Sequence, residues 1–203
     1  MSVCYIVGAG ELYGRPEPKN SDLVIAADGG LDSLMSLGIT PDLVLGDMDS
    51  VSADLGDVER IVYPVRKDET DSFLAYFEGV RRGYTEFMLY GCTGGREDHT
   101  FANYALLIYA RDAGHKMTLV GKCTHTIAVK NESVTLSGEP LAHFSLFAFG
   151  GDAFGVSISG AEYEAEGVTL TPSFPLGVSN RFGDKDVTVS VGDGTLLVMI
   201  EKN

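Results

Sequence analysis

Several features are absent from this 203-residue sequence, and each absence narrows the class of protein. No apolar run approaches the roughly 18 residues of a membrane-spanning helix, and the N-terminal MSVCYIVGAG has no basic segment of a secretory signal. No block of Lys and Arg occurs, and 15 basic residues stand against 29 acidic ones, for a formal net charge of −14. A chain with this negative charge repels phosphate backbones, and we therefore do not expect a nucleic acid as its partner. Because no apolar run is long enough, we do not expect a membrane either.

Cysteine is scarce, and its three copies lie far apart at Cys4, Cys92 and Cys123. An odd number of widely spaced cysteines beside apolar runs is typical of a reducing compartment rather than of a disulfide framework. We therefore expect a cytoplasmic protein whose cysteines all belong to the core. Internal repeats and low-complexity segments are also absent. The remaining possibility is an ordinary globular chain, 44% hydrophobic, long enough for one large domain or two small ones.

Apolar runs alternate with helical patterns up to about residue 122. Six nearly continuous runs predict strands that are covered on both faces: CYIVGAG, DLVIAADGG, DLVLGD, RIVYPV, EFMLYGCTGG and KMTLVGK. Three segments between them predict helices: GLDSLMSLG, TDSFLAYFEGVRRG and REDHTFANYALLIYARDAG. The apolar spacing predicts shared helix faces of Phe73, Phe77 and Val80, and of Phe101, Tyr104, Ala105 and Ile108. This alternation predicts a Rossmann-like, mainly parallel sheet with helices on both faces.

The pattern changes after Lys122. Short alternating segments separated by Gly, Asn or Asp turns replace the helical periods, and VGDGT at Val191 to Thr195 is the clearest predicted hairpin. These features predict an antiparallel β-sandwich or small barrel. The boundary falls near Lys122 to Thr126, which divides the chain into an α/β domain at 1–123 and a β-rich domain at 124–203.

Acidic residues follow several of the predicted strands of the α/β domain. They are Asp28, Asp47, Asp49 and Asp71. Ligands of an open α/β sheet bind beyond the carboxyl ends of its strands, where these carboxylates would meet and repel one another. A divalent cation relieves that repulsion, and hard oxygen ligands suit Mg²⁺ completed by substrate phosphates. Structural explanations also exist, with Asp28 as a turn residue and Asp71 as a helix cap.

Glycines at the same edge allow backbone N–H groups to approach an anion. They form the segments Gly8-Ala9-Gly10, Gly29-Gly30 and Gly94-Gly95. The last pair precedes a helix, whose N-terminus favours phosphate. Lys67 and Arg96 are the cations best placed to neutralise phosphate oxygens, although either residue alone is more commonly a solvated surface charge. His99, at the helix start, is interpreted as a structural or ligand-contacting residue rather than a general base.

Five segments of the chain resemble the bacterial type of the thiamine pyrophosphokinase family: AADGGLD, GDMDS, KDETDS, TGGREDHTFAN and PLGVSNRF. They occur in the family's order and at roughly its spacing, over nearly the whole chain. The resemblance implies an α/β domain that binds ATP and Mg²⁺, and a C-terminal β-sandwich that binds thiamine. It also implies a homodimer with its sites at the subunit interface. The implied reaction transfers diphosphate from ATP to the hydroxyl of thiamine and releases AMP.

The resemblance also implies roles for individual residues. In this family pattern, Mg²⁺ and the triphosphate are held by Asp47, Asp49 and Asp71. Those that complete the nucleotide site are Asp28, Lys67, Thr70 and Arg96. Those that contact thiamine are Asp98, Ser179 and Asn180, with Arg96 and Asp98 lining the pocket between the two substrates. From the chemistry of the reaction, we expect a carboxylate near the metal, either Asp49 or Asp71, to accept the proton of the thiamine hydroxyl.

Two features depart from the family's pattern. Arg181 occupies the position of the acid that usually follows the Ser-Asn pair. The chain also has no tryptophan on which thiamine stacks in some members, and the aromatic substitutes are Phe182, Tyr163 and Phe174. Two kinds of alternative remain open: another Mg²⁺-nucleotide enzyme, such as a pterin-type diphosphokinase or a sugar-nucleotide transferase, and a nucleotide-binding module without catalysis. The GVSN segment and the β-rich second half favour the first assignment, and the intact acids argue against the module.

Overall fold

The computed structural model of this chain describes residues 2–46, 58–64 and 68–202. The chain divides into two compact units, Met1–Lys122 and Cys123–Asn203. Within the described ranges, no helix has both the length and the apolar character needed to span a membrane.

The first unit alternates strands with helices. Its strands are β1 (Cys4–Val7), β2 (Leu23–Ala27), β3 (Leu43–Gly46), β4 (Glu59–Val62), β5 (Glu86–Tyr90) and β6 (Lys116–Val120). Its helices are α1 (Gly30–Ser36), α2 (Asp71–Arg81) and α3 (Glu97–Asp112). The strands pair in the order β6-β5-β1-β2-β3-β4, and every pair is parallel. Their carboxyl ends therefore share one edge, and the predicted α/β fold is confirmed.

Helices cover both faces of this sheet because successive strand residues point to opposite sides. Tyr5 of β1 belongs to a buried cluster that includes Leu31 and Leu34 of α1. Cys4, its neighbour, lies against α2 instead, since a Cβ atom built on Gly79 would be 2.9 Å from Cys4 Sγ. Alternate residues of one strand thus anchor helices on opposite faces.

The core-facing sides of α2 and α3 differ from the predicted ones. Their buried residues are Leu74, Ala75, Tyr76, Glu78 and Gly79 in α2, and Asn103, Leu106, Leu107 and Ala110 in α3. Phe77 and Phe101, which belong to the predicted apolar faces of α2 and α3, are 37% and 64% exposed. Phe73 and Phe77 pack against Tyr109 with ring centroids 5.6 and 5.7 Å apart. These aromatic rings therefore join the two helices to each other rather than to the sheet.

A buried carboxylate links α2 to β4. Glu78 is 5% exposed and accepts hydrogen bonds from Arg81 Nη2 (2.6 Å) and Arg82 Nε (2.6 Å). Arg82 Nη2 extends the network to Glu59 Oε1 at 2.6 Å. The hydrogen bonds from Arg81 are the largest influence on Glu78, and with those from Arg82 they hold its pKa below the ordinary value although desolvation opposes them.

We expect Glu78→Gln to lower the free energy of unfolding at pH 7 by about 1–3 kcal/mol. The glutamine side chain has lost the carboxylate charge, and its NH₂ group is a donor that faces the N–H donors of Arg81 and Arg82. A carboxyl group whose pKa is lowered by folding stabilises the fold above its unfolded pKa of about 4.3. That contribution is lost as the pH falls through the folded pKa. Urea unfolding from pH 7 to pH 3 should therefore show the difference between variant and parent shrinking. Equal losses in Glu17→Gln, which changes an exposed carboxylate of the same unit, would contradict this.

The regular elements among the described residues of the second unit are strands. They are β7 (Thr124–Lys130), β8 (Ser133–Leu136), β9 (His143–Ala148), β10 (Ala153–Ser159), β11 (Ala165–Leu170), β12 (Asn180–Arg181), β13 (Val187–Ser190) and β14 (Thr195–Glu201). Within this unit the antiparallel orders are β12-β9-β14-β7 and β11-β10-β13-β8. Both sheets contribute to one buried cluster, for example through Val129 and Phe144 on one side and Val156 and Val187 on the other. The β-sandwich is confirmed.

The VGDGT segment connects the two sheets of the sandwich, so the predicted hairpin is wrong. Strand β13 pairs with β8 and β10, whereas β14 pairs with β7 and β9. The N–H of Val191 donates to the Glu132 carbonyl at 2.9 Å, and the N–H of Gly194 donates to Asn131 Oδ1 at 2.8 Å. The connection between β7 and β8 therefore holds the segment in place.

Candidate active site

A cavity of about 370 Å³ opens at the carboxyl edge of the parallel sheet. Its lining comes from residues 8–10 after β1, residues 27–28 at the end of β2, residues 70–72 at the start of α2, and several residues between 91 and 103. These segments bring four of the predicted site residues to one cavity: Asp28, Thr70, Asp71 and Arg96.

Two glycine-containing loops form one wall of this cavity, and their backbones are in direct contact. The N–H of Gly10 donates to the Gly91 carbonyl at 2.7 Å, and the N–H of Glu11 donates to the Thr93 carbonyl at 3.1 Å. Gly91 has a φ of +60°, and a Cβ atom there would be 2.4 Å from the Gly8 carbonyl oxygen. Side chains are therefore excluded from the crossing, which leaves room for a ligand to approach the backbone.

Asp28 lines the cavity in a strained backbone conformation. Its φ is +52°, in the left-handed region that few residues other than glycine adopt. The N–H of Asp28 donates to the Leu45 carbonyl at 2.8 Å, which fixes this conformation against β3. Asp28 is thus a turn residue, which was one of the two explanations offered by the sequence, and its carboxylate also belongs to the cavity. Strain of this kind is concentrated at functional sites.

Thr70, rather than Asp71, caps α2. Thr70 Oγ1 accepts a hydrogen bond from the N–H of Phe73 at 3.4 Å, and Asp71 is the first helical residue. The interpretation of Asp71 as the cap is therefore wrong. A carboxylate in the first turn of a helix is nevertheless favoured by the helix dipole. Asp71 lines the cavity from this position.

Arg96 and Asp98 form an exposed ion pair at the start of α3. Arg96 Nη2 lies 2.6 Å from Asp98 Oδ2, and Arg96 Nε donates to Asp98 Oδ1 at 3.1 Å. Hydrogen bonding from Arg96 is the main reason that the pKa of Asp98 lies below its usual value. Arg96 and His99 line the cavity, and Asp98 contacts both of them, since it also accepts a hydrogen bond from the N–H of His99 at 2.9 Å. An anion in the cavity would thus compete with Asp98 for the guanidinium.

Three predicted site residues, Asp47, Asp49 and Lys67, lie outside the described residues. Among the residues that are described, no group of three or more His, Cys, Asp or Glu side chains is arranged to hold a metal ion. Asp28 and Asp71 are carboxylates from separate segments that line the same cavity. Their oxygen chemistry fits a hard cation such as Mg²⁺, which takes few protein ligands and keeps several waters.

The sequence pattern does not predict the polar residues that complete the cavity. They are Ser72, Thr93, Thr100 and Asn103. Asn103 is 5% exposed, and its Nδ2 donates to the Cys92 carbonyl at 2.8 Å. In the sequence, Asn103 stands out only as a polar residue within the apolar pattern of α3. Its hydrogen bond to the Cys92 carbonyl explains why a polar residue is buried there.

Cys92 also lines the cavity but is not a nucleophile. Burial raises the pKa of its thiol to about 11, so the thiol stays protonated at neutral pH. Its Sγ lies 3.8 Å from Ser72 Oγ. Cys4 and Cys92 are buried as predicted, but Cys123 is exposed, so the prediction that every cysteine is in the core is wrong.

Ser179 and Asn180 belong to the second unit. Ser179 has a φ of +62°, and its N–H donates to Ser145 Oγ at 3.1 Å. The buried amide of Asn180 is bonded to the backbone of Tyr163, accepting from its N–H at 3.0 Å and donating to its carbonyl at 2.7 Å. Asn180 therefore holds the segment that presents Tyr163, whose side chain is 62% exposed.

Arg181, which departs from the family's pattern, lies in a chain of charged and polar side chains. Its Nε donates to His143 Nε2 at 3.2 Å, and its Nη1 lies 3.6 Å from Glu162 Oε2. His143 Nδ1 lies 3.0 Å from Glu201 Oε2. Because His143 Nε2 accepts a hydrogen bond here, Nδ1 carries the proton and donates to Glu201.

The three aromatic candidates for stacking differ in exposure. Phe182 is 1% exposed and packs against Phe144 with ring centroids 5.0 Å apart, so it is not available to a ligand. Tyr163 and Phe174 are 62% and 65% exposed. A cavity of about 210 Å³ in this unit is lined mainly by apolar residues, together with Tyr163, Glu164 and Asn180.

The cavity of the first unit is of the type found in nucleotide-binding α/β proteins, in which glycine turns and a helix N-terminus meet at the carboxyl edge of a parallel sheet. Comparison with known families is more specific. The model for the catalytic domain of thiamin pyrophosphokinase matches residues 16–119, and the model for the vitamin B1 binding domain of thiamin pyrophosphokinase matches residues 124–196. The chain therefore belongs to the thiamin pyrophosphokinase family.

Individual relatives agree with this assignment. Thiamine pyrophosphokinase of Bacillus subtilis (strain 168) is 27% identical over 184 residues, which cover 87% of this chain and 86% of the relative. The crystal structure of thiamine pyrophosphokinase from Bacillus subtilis superposes with a TM-score of 0.88 at 24% identity, covering 100% of both chains. Thiamin pyrophosphokinase from Candida albicans gives 0.79 at 15% identity, covering 99% of this chain and 90% of that one. At these identities the structural matches establish the fold.

Proposed function

We propose that this chain is an ATP:thiamine diphosphotransferase. The observation that supports it best is the cavity at the carboxyl edge of the sheet, where Asp28, Asp71 and Arg96 meet in a chain of the thiamin pyrophosphokinase family. The hydroxyl oxygen of thiamine bonds to the β-phosphorus of ATP, the bond from that phosphorus to the α,β-bridging oxygen breaks, and AMP leaves. Such transfers depend on alignment of the reactants and on neutralisation of phosphate charge.

Each cavity group has a proposed part in this reaction. Arg96 neutralises a phosphate oxygen, and Thr70 and Lys67 complete the nucleotide site. The backbone of the two glycine loops accommodates the phosphate chain. Asp71 or Asp49 accepts the proton of the thiamine hydroxyl, because a carboxylate near the attacking oxygen is the available base.

Magnesium is the proposed cofactor, held by Asp47, Asp49 and Asp71 with Asp28 nearby. The support is chemical, since Asp28 and Asp71 are hard oxygen donors of one cavity in a protein with a net charge of −14. When bound, Mg²⁺ supplies positive charge opposite the phosphate oxygens. The protein's own carboxylates then serve to fix the position of that charge.

The second unit is the proposed thiamine site, with Ser179 and Asn180 as contacts. Asp98, at the start of α3 in the first unit, is a further proposed contact of thiamine. Its cavity of about 210 Å³ has apolar walls beside the exposed ring of Tyr163, which suits a flat heterocycle. We further propose a cytoplasmic homodimer with the active sites at the subunit interface. Light scattering of the purified protein tests the dimer, and a monomer that retains full activity would contradict it.

Purified protein incubated with ATP, Mg²⁺ and thiamine tests the proposed reaction. We expect AMP and thiamine diphosphate in equal amounts, and no AMP when thiamine or Mg²⁺ is omitted. Formation of ADP with thiamine monophosphate would contradict diphosphate transfer. ATP binding without any AMP would support a non-catalytic module, and AMP formed only with a pterin alcohol would support the other diphosphokinase.

A further inference from the structure

The loop after β5 contains a buried hydroxyl group for which the described residues provide no hydrogen-bond partner. Thr93 lines the cavity of the first unit, yet its Oγ1 is out of contact with solvent and has no partner among the described residues. Folded proteins rarely leave a buried hydroxyl in this state, because it has given up its bonds to water without replacement. Thr93 Oγ1 is therefore an unusual group at a functional edge of the sheet.

The surrounding backbone is held too firmly to supply the missing partner. Three successive carbonyl groups of the loop accept hydrogen bonds: Gly91 from Gly10 N at 2.7 Å, Cys92 from Asn103 Nδ2 at 2.8 Å, and Thr93 from Glu11 N at 3.1 Å. A Cβ atom on Gly10 would also be 2.6 Å from the Thr93 carbonyl oxygen. The backbone of Thr93 is thus fixed, and rotation about χ1 is the movement left to its hydroxyl.

The neighbouring groups indicate what the hydroxyl would meet after that rotation. Gly94, Gly95 and Arg96 follow Thr93 directly, and the 16-residue helix α3 begins at Glu97. A guanidinium group and the N-terminus of a helix both favour an anion. A threonine hydroxyl beside them serves as one more donor.

We propose that Thr93 is a nucleotide-binding residue, whose hydroxyl rotates into the cavity and donates a hydrogen bond to an oxygen of the phosphate chain. The identity of the ligand rests on the proposed function. Binding then satisfies a group that has no partner among the described residues of the free protein. The hydroxyl consequently destabilises the free protein and stabilises the complex.

The test compares Thr93→Val, which removes the hydroxyl at almost constant shape, with Thr93→Ser, which keeps it. Calorimetric titrations with ATP and with adenosine, without thiamine, measure binding separately from catalysis. We expect Thr93→Val to weaken ATP binding about tenfold or more, as for a lost hydrogen bond to a charged group, and to leave adenosine binding unchanged. Thr93→Ser should bind ATP nearly as the parent does. The melting temperature of free Thr93→Val should equal or exceed that of the parent.

Each contrary result overturns a definite part of the proposal. Unchanged ATP affinity in Thr93→Val would show that the hydroxyl is not a ligand. A lower melting temperature of that variant would show that the hydroxyl already has a partner in the free protein. If the parent itself binds neither ATP nor adenosine, the proposed function fails and the role of Thr93 fails with it.

Discussion

Replacing Asp71 with asparagine is expected to lower the rate of diphosphate transfer by about 10²–10³-fold, because a metal site supplies several kcal/mol of transition-state stabilisation. Asparagine keeps the shape of the side chain but removes the charge that would hold Mg²⁺ or accept a proton. The fold should survive, since Thr70 Oγ1 rather than Asp71 caps α2. The cost to the helix is one favourable charge in its first turn, about 0.3–1 kcal/mol.

Glu97→Gln is the matched control for this experiment. Glu97 is likewise the first residue of its helix, but it is exposed and does not line the cavity. Its rate should stay within about twofold of the parent, as for most surface substitutions. Initial rates of AMP formation over a range of Mg²⁺ concentrations, with thermal unfolding of each variant, provide the measurement. Equal rates in the two variants would show that Asp71 is not part of the active site.

The parallel sheet and its ligand-binding edge could be predicted from the sequence for a simple physical reason. Strands buried on both faces are apolar throughout, and they end where the chain first becomes glycine-rich or charged. Parallel pairing then brings every such end to one edge, whatever the details of packing. Asp28 and Arg96 lie 68 residues apart in the sequence but line the same cavity for this reason.

The inward faces of the helices could not be predicted, because apolar spacing does not record partners. Phe77 and Phe101 are strongly apolar yet exposed, whereas Glu78 and Asn103 are polar yet buried. Glu78 is buried because two arginines bind it, and Asn103 because it binds the Cys92 carbonyl. The arginines lie only three and four residues after Glu78, but which side of α2 is buried against the sheet depends on tertiary structure, as does the contact of Asn103 with Cys92. The role of Thr93 could not be predicted either, since only the folded loop shows that its hydroxyl has no partner among the described residues.

Turn composition was misleading in the second unit. Glycines and an aspartate in VGDGT indicate a bend, but a bend does not determine which strands pair across it. Strands β13 and β14 belong to opposite sheets of the sandwich. Apolar side chains of both strands are buried in the one cluster between the two sheets. That burial, rather than the turn, decides which strands pair. A local signal therefore predicted the turn and not its topology.

Gly30→Ala is expected to destabilise the first unit by about 3 kcal/mol or more, although alanine is intrinsically the better helix former. A Cβ atom on Gly30 would be 1.9 Å from the Val7 carbonyl oxygen and 2.5 Å from its carbon. The obstacle is the backbone of β1, which is paired with β2 on one side and β5 on the other. It cannot withdraw without loss of strand pairing. Because Gly8 follows Val7 into the cavity wall, ATP binding should weaken as well.

Gly151→Ala is the control, since its Cβ atom would meet nothing within 4 Å and its φ is not in the left-handed region. Its free energy of unfolding should change by no more than about 0.5 kcal/mol. Urea unfolding of both variants compares two opposing effects at Gly30: a gain in helix propensity of about 1 kcal/mol and repulsion from the strand backbone. A stabilised Gly30→Ala would mean that α1 can lift from β1. A strongly destabilised one would mean that contact with β1, rather than helix propensity, determines the residue at the start of α1.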